Sequence, residues 1–161
     1  MTAATCLHSG QSRRDGVTPY INHCSDVVSR VIARYHDKWE LGILDIAVQI
    51  AWLHDTVEDG RCTLKDLIEG GFNTQVILGV SLLTRKLGQS YEDFIRRLEH
   101  DTVARGIKIC DILSNLNDAP TARQIKRYSA ALLVLVANET QSNVERDLGP
   151  APDDSGASPT G

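Results

Sequence analysis

Trp52-Leu53-His54-Asp55-Thr56-Val57-Glu58-Asp59 follows directly on an apolar run from Ile43 to Leu53, and this junction decides the fold. From Glu40 to Val57 apolar residues cover so much of a helical circumference that the segment reads as the central buried helix. Four groups that bind metals or move protons then arrive within the six residues His54 to Asp59. Continued as helix, the junction places His54 and Glu58 one turn apart on one face, with Asp55 and Asp59 about 100° further round. A charged quartet at the end of a buried helix must be paired, hydrated or bound to a cation. The plainer alternative is a helix end entering solvent, where the acids open the next loop.

Working outward toward the N-terminus, Asn22 to about Tyr35 reads as a helix with Val27, Val28, Val31 and Ile32 on its apolar stripe. His23 lies in its first turn, where a lone histidine is usually a surface residue. Before it, Gly16 and Pro19 mark Arg13 to Tyr20 as a loop. By composition its pair, Arg13 and Arg14, reads as a solvated edge, with an anion-binding pair as the alternative. Residues 3–13 read as a short first helix carrying Cys6, His8 and Gln11.

Toward the C-terminus, Thr63 with Asp66 signals the cap of a short helix ended by Gly70-Gly71. A helix is expected over Thr74–Thr84, and Ser90 with Asp93 caps another over Tyr91–Glu99. Residues 102–117 carry a second informative stretch, in which Asp111 is flanked by Ile109, Cys110, Ile112 and Leu113. An aspartate in such company is either a buried cap or a ligand, since Asp is rarely buried unpaired. Asn115 shares its face one turn on. The last helix is expected over Ala122–Val136. No internal repeat is present, and no alternating run demands a sheet, so the fold is expected to be all-α, a compact multi-helix bundle. A domain over residues 1–145 is expected, with residues 146–161, rich in Gly, Pro, Ser and Asp, as a disordered tail.

The 161 residues suit one core, and 42% apolar with 24% charged residues is ordinary globular composition. The apolar stretch Ala130 to Ala137 is far short of the ~20 residues that span a membrane. No basic start followed by an apolar block marks a secretory signal. The four cysteines, Cys6, Cys24, Cys62 and Cys110, lack CxxC spacing and read as reduced thiols of a cytoplasmic protein. A net charge of −4 argues against a broad nucleic-acid surface.

His23, His54, Asp55 and Asp111, carried on three separate helices, form a mixed N/O donor set suited to Mn²⁺, Fe²⁺ or Zn²⁺. An ion held this way keeps positions for water or a phosphate oxygen. Glu58 and Asp59, close by in sequence, are placed to orient water and manage protons.

Three stretches together resemble a known family. Arg13-Arg14 through Pro19-Tyr20-Ile21-Asn22-His23, then Leu53 to Asp59, then Ile107-Lys108 to Asp111 with Asn115-Leu116 resemble the HD-domain metal-dependent phosphohydrolases. Within these the similarity is to the hydrolase domain of RelA/SpoT-type alarmone enzymes, over roughly residues 5 to 137. The resemblance implies that His23, His54, Asp55 and Asp111 bind one Mn²⁺ and that Glu58 and Asp59 are the acid/base pair. It gives Arg14, with Arg13, a stacking or phosphate-pairing role, Asn115 a ribose contact and Tyr128 a place at the phosphate end. The implied reaction removes the 3′-pyrophosphate of guanosine tetra- or pentaphosphate, giving GDP or GTP, in a small stand-alone hydrolase. The chain departs from the family pattern at Cys24, where Pro is usual, and at Ile112, where a basic residue is common. Its Gly71–Gly106 segment is short. Two other readings remain open from the sequence. One keeps the metal site but acts on another phosphorylated nucleotide, including a nicotinamide cofactor phosphate; the other is a catalytically silent nucleotide-binding sensor.

Overall fold

The computed structural model describes residues 2–148, and among these it is all-helical. The helices run α1 (Thr2–Leu7), α2 (Ile21–Tyr35), α3 (Leu41–Leu53), α4 (Leu64–Glu69), α5 (Thr74–Leu83), α6 (Tyr91–Leu98), α7 (Thr102–Leu116) and α8 (Ala122–Leu148). The nearest approach to a strand pair is an isolated antiparallel bridge between Ser12 and Pro19. No helix among the described residues is long and apolar enough to cross a membrane.

Local chemistry explains where four of the helices start. Thr63 and Asp66 form a reciprocal capping box, with the Asp66 amide donating to Thr63 Oγ1 at 3.2 Å and the Thr63 amide to Asp66 Oδ2 at 2.7 Å. Asn73 accepts from the Gln75 amide, Ser90 from Asp93 and Asp101 from Ala104, each supplying a partner to an otherwise orphaned helical N–H.

The expected third helix stops early. It ends at Leu53 rather than Val57, and residues 54–60 are a succession of turns. Polar side chains explain the stop, because His54 Nδ1 takes the Ala51 carbonyl at 2.8 Å and Thr56 Oγ1 takes that of Leu53 at 2.7 Å. Side-chain donors at these carbonyls compete with the backbone amides that would have prolonged the helix. The first helix is also shorter than residues 3–13. It ends at Leu7, after which Tyr20 donates to the Gln11 carbonyl and Arg13 to that of Thr18, folding the loop back on itself. The last helix continues past Val136 to Leu148. Residues 149–161, most of the expected tail, lie outside the described residues.

Helix α3 packs on α2, α5 and α7, and α7 in turn on α2 and α8. Their shared core includes Val27, Val31, Ile50, Leu53, Val80, Ile107, Ile112 and Leu135, all buried. Each such side chain contributes about 1.5–3 kcal/mol, a margin that lets the same three helices carry buried polar groups at one end. Gly106 brings α7 close to the C-terminal end of α2. A Cβ there would lie 2.9 Å from the rings of Tyr35 and Trp39, which stack at 4.0 Å.

Candidate functional site

Three elements deliver four polar groups to one point. His23 comes from the first turn of α2, His54 and Asp55 from the turn that ends α3, and Asp111 from the middle of α7. His23 is buried, contrary to the usual exposure of first-turn histidines, because α7 lies against α2 there. The Nε2 atoms of His23 and His54 are 3.3 Å apart. Asp55 Oδ2 is 3.0 Å from His54 Nε2 and 3.7 Å from His23 Nε2. Asp111 Oδ1 completes the group at 3.2 Å from His23 Nε2 and 3.7 Å from His54 Nε2.

These spacings suit a shared cation. Donors at ~2.0–2.2 Å from one ion sit roughly 3–3.5 Å from their neighbours. By mutual distance His23, His54 and Asp55 alone could hold a metal ion, and Asp111 faces both imidazoles of that group. The tautomers agree as well. His54 Nδ1 must donate to the Ala51 carbonyl, so in its neutral form the Nε2 lone pair points into the cluster.

The electrostatics favour positive charge at the centre. Burial opposes a charge on His54, but Asp55 and Asp111 outweigh it and lift its pKa well above the ordinary imidazole value. Burial would likewise raise the Asp111 carboxyl, yet Lys108 and the two histidines hold it well below the usual carboxylate range. Asp55 is held low against burial, chiefly by His54.

Lys108 Nζ lies 2.6 Å from Asp111 Oδ2, and Asn115 Nδ2 donates to Asp111 Oδ1 at 2.6 Å. The Tyr20 hydroxyl donates to Asp55 Oδ2. Burial first, then the charge of Asp55, pushes the Tyr20 phenol far above its ordinary value, so it stays a donor. The lysine and tyrosine fall within the stretches that carry the family resemblance, where neither is assigned a role; Lys108 stands one turn before Asp111 on α7. Burial pushes the Cys24 thiol up to about 11. All four cysteines are free, with Cys24 and Cys110 in the core.

Glu58 and Asp59 are exposed on the turn beyond the cluster and border the same cavity as Asp55 and Asp111. They do not share helical faces with His54 and Asp55 in the expected way, because the helix has already ended. Glu58 Oε2 accepts from the Arg85 backbone amide at 3.1 Å, and Asp59 Oδ2 from Gln11 Nε2 at 2.7 Å. The cavity, about 260 Å³, carries Arg85, Lys108 and Arg127 on its walls beside Tyr128 and Asn115. An adjoining hollow of about 240 Å³ is bordered by Arg13, Arg14 and Asp118. Arg13 is an ion-paired side chain there rather than a solvated edge, reaching Asp118 Oδ2 through Nε at 3.0 Å and through an Nη at 2.9 Å. Arg14 is exposed and donates to the Asp118 carbonyl at 3.2 Å.

A helical bundle closing a vicinal His-Asp, a distant His and a distant Asp around one point has the architecture of an HD-domain protein. No protein-family model matches the chain. Over 118 residues it is 38% identical to guanosine-3′,5′-bis(diphosphate) 3′-pyrophosphohydrolase MESH1 of Mus musculus, covering 69% of this chain and 62% of the relative. The Homo sapiens protein of the same name matches with the same identity and coverage. The chain thus spans about 62% of the length of the curated relatives it matches. A solved structure described as a metazoan ortholog of SpoT that hydrolyses ppGpp superposes with a TM-score of 0.63 at 24% identity, over 92% of each chain. The chain is similar to these hydrolases over 118 residues, and it shares the fold of the solved structure.

Proposed function

We propose that the chain is a metal-dependent hydrolase that removes the 3′-pyrophosphate of guanosine tetra- or pentaphosphate, releasing pyrophosphate and GDP or GTP. The observation that carries this reading is the meeting of His23, His54, Asp55 and Asp111 at 3.0–3.7 Å, with two carboxylates bordering the same cavity. The names of the two mammalian relatives supply the substrate.

In this reading His23, His54, Asp55 and Asp111 hold one Mn²⁺, their mixed imidazole and carboxylate donors being suited to it. When bound, such an ion polarises a phosphoryl oxygen and acidifies water. Lys108 and Asn115 hold the Asp111 carboxylate in place, and the Tyr20 hydroxyl does the same for Asp55. Glu58 and Asp59 form the acid/base pair, one accepting a proton from the attacking water and the other assisting the leaving oxygen. Their anchors, the Arg85 amide and the Gln11 side chain, fix the carboxylates while leaving the second oxygen of each available.

Lys108, Arg85 and Arg127 give the cavity a cationic wall for phosphate oxygens, with Tyr128 beneath the Arg127 guanidinium at 5.1 Å. Arg14, the less tied of the two loop arginines, is the one placed to stack on a base or pair with a phosphate. Asn115 borders both hollows, as a ribose contact between base and phosphates must.

Incubating the Mn²⁺-loaded protein with guanosine tetraphosphate and measuring pyrophosphate tests the proposal. Pyrophosphate and GDP in equal amounts are expected. Orthophosphate released only from other nucleotides, nicotinamide cofactor phosphates included, would move the substrate and keep the hydrolase. Stoichiometric Mn²⁺ with no turnover of any nucleotide would leave a binding module instead.

A further inference from the structure

His23 is held from behind by a link that the reaction scheme does not use. Its Nδ1 lies 3.0 Å from Ser114 Oγ, both side chains being buried. Ser114 stands on α7 three residues after Asp111, so one helix supports His23 and also carries the carboxylate facing it. Asp26, three residues after His23 on α2, is near enough for the Ser114 hydroxyl to lower its carboxyl pKa. Asp26 accepts from Arg30 Nε at 2.9 Å. Burial would raise the Asp26 carboxyl, but the nearby Ser114 hydroxyl and the Arg30 guanidinium reverse that and hold it below its ordinary value.

The directions of these bonds follow from donor chemistry. An imidazole that offers Nε2 to a cation carries its remaining proton on Nδ1. Ser114 Oγ is then the acceptor for a proton on His23 Nδ1, which leaves the Nε2 lone pair facing His54 and Asp111. His54 reaches the same tautomer by another device, a bond to the Ala51 carbonyl. One imidazole is therefore set by backbone and the other by side chains.

We propose that Asp26 and Ser114 are positioning residues for His23, a carboxylate–hydroxyl–imidazole chain that fixes its tautomer and couples α2 to α7 at the metal centre. The inference rests on the metal reading above. Outer partners of ligating histidines typically change metal affinity by about 10–100-fold, whereas a bond that served only folding would leave affinity in the folded protein unchanged.

The test titrates Mn²⁺ into the chelator-stripped full chain, following free Mn²⁺ by its electron paramagnetic resonance signal, with thermal unfolding of the stripped protein measured alongside. Ser114→Ala is expected to weaken Mn²⁺ binding by about 10–100-fold while the protein stays folded. Asp26→Ala, at a partly exposed position, is expected to weaken it in the same sense, and should Ser114→Ala fail to fold it reads the link alone. The double variant should be no weaker than Ser114→Ala, as for members of one chain. Mn²⁺ affinities within threefold of the parent in the folded variants would overturn the inference and leave the ligand set standing. A parent that takes up no Mn²⁺, or binds it unchanged after His23→Ala, would overturn the ligand reading and this inference with it.

Discussion

His54 and Asp55 are followed within four residues by Glu58 and Asp59, yet the two pairs live under different physical rules. The first pair belongs to a largely buried cluster whose every member is restrained by a neighbour: Ala51, Tyr20, Lys108, Asn115 and Ser114 each bond to one of its members. The second pair stands in solvent on a turn, each acid tied by a single donor from a distant part of the chain. Removing a partner inside the cluster leaves a charge with little access to water. Removing one on the turn leaves a charge that water can reach. Stability and turnover should therefore separate cleanly between the two regions.

The largest effect is expected from Asp111→Ala, which strands Lys108 beside an apolar helix. Breaking a buried ion pair from one side costs about 3–5 kcal/mol, read as a fall in the urea midpoint, with Mn²⁺ binding lost as well. Unchanged stability would mean that the cluster obeys the rules of the turn. Next come Glu58→Gln and Asp59→Asn, expected to reduce turnover by about 10²–10⁴-fold while keeping Mn²⁺ and moving stability by less than about 0.5 kcal/mol. Full activity in both would remove the acid/base assignment.

A smaller loss, about 1–3 kcal/mol, is expected from Gly106→Ala, whose methyl would meet the stacked Tyr35 and Trp39 rings. Since Gly106 lies on the helix that carries Asp111, Mn²⁺ affinity should fall with stability; calorimetric titration would show the two moving together. Mild acid should give the gentlest effect. Asp111 and Asp55 have pKa values lowered by folding, so their contribution is present above the unfolded value of about 3.9 and fades as pH falls through the folded ones. Chelator-stripped protein should lose midpoint stability on approaching pH 3, and Asp111→Asn should flatten that slope.

The helix starts and the buried Asp111 were legible because their signals are local. Thr63 with Asp66 and Ser90 with Asp93 cap helices across three residues, and an aspartate among isoleucines announces itself. The end of α3 was not, since it depends on His54 and Thr56 turning back to carbonyls that an uninterrupted helix pattern does not reveal. His23 read as a surface residue because its cover, α7, lies some ninety positions away in the chain. Arg13 read as solvated for the same reason, its partner Asp118 being brought near only by the fold. The His23, His54, Asp55 and Asp111 grouping emerged from residue chemistry combined with family resemblance. The Ser114–His23 bond behind it carries no sequence mark, because a serine three residues from a ligand is ordinary helix surface until two helices meet.

The Ser12–Pro19 bridge has a practical corollary. On one side of this hairpin Gln11 and Arg13 are moored to Asp59 and Asp118, and on the other Tyr20 is moored to Asp55. Val17, at the tip, is among the most exposed apolar residues described. A protease that clipped the tip there would leave both severed strands still fastened to the body, so a nicked preparation, two bands on a denaturing gel, should go on working as one molecule.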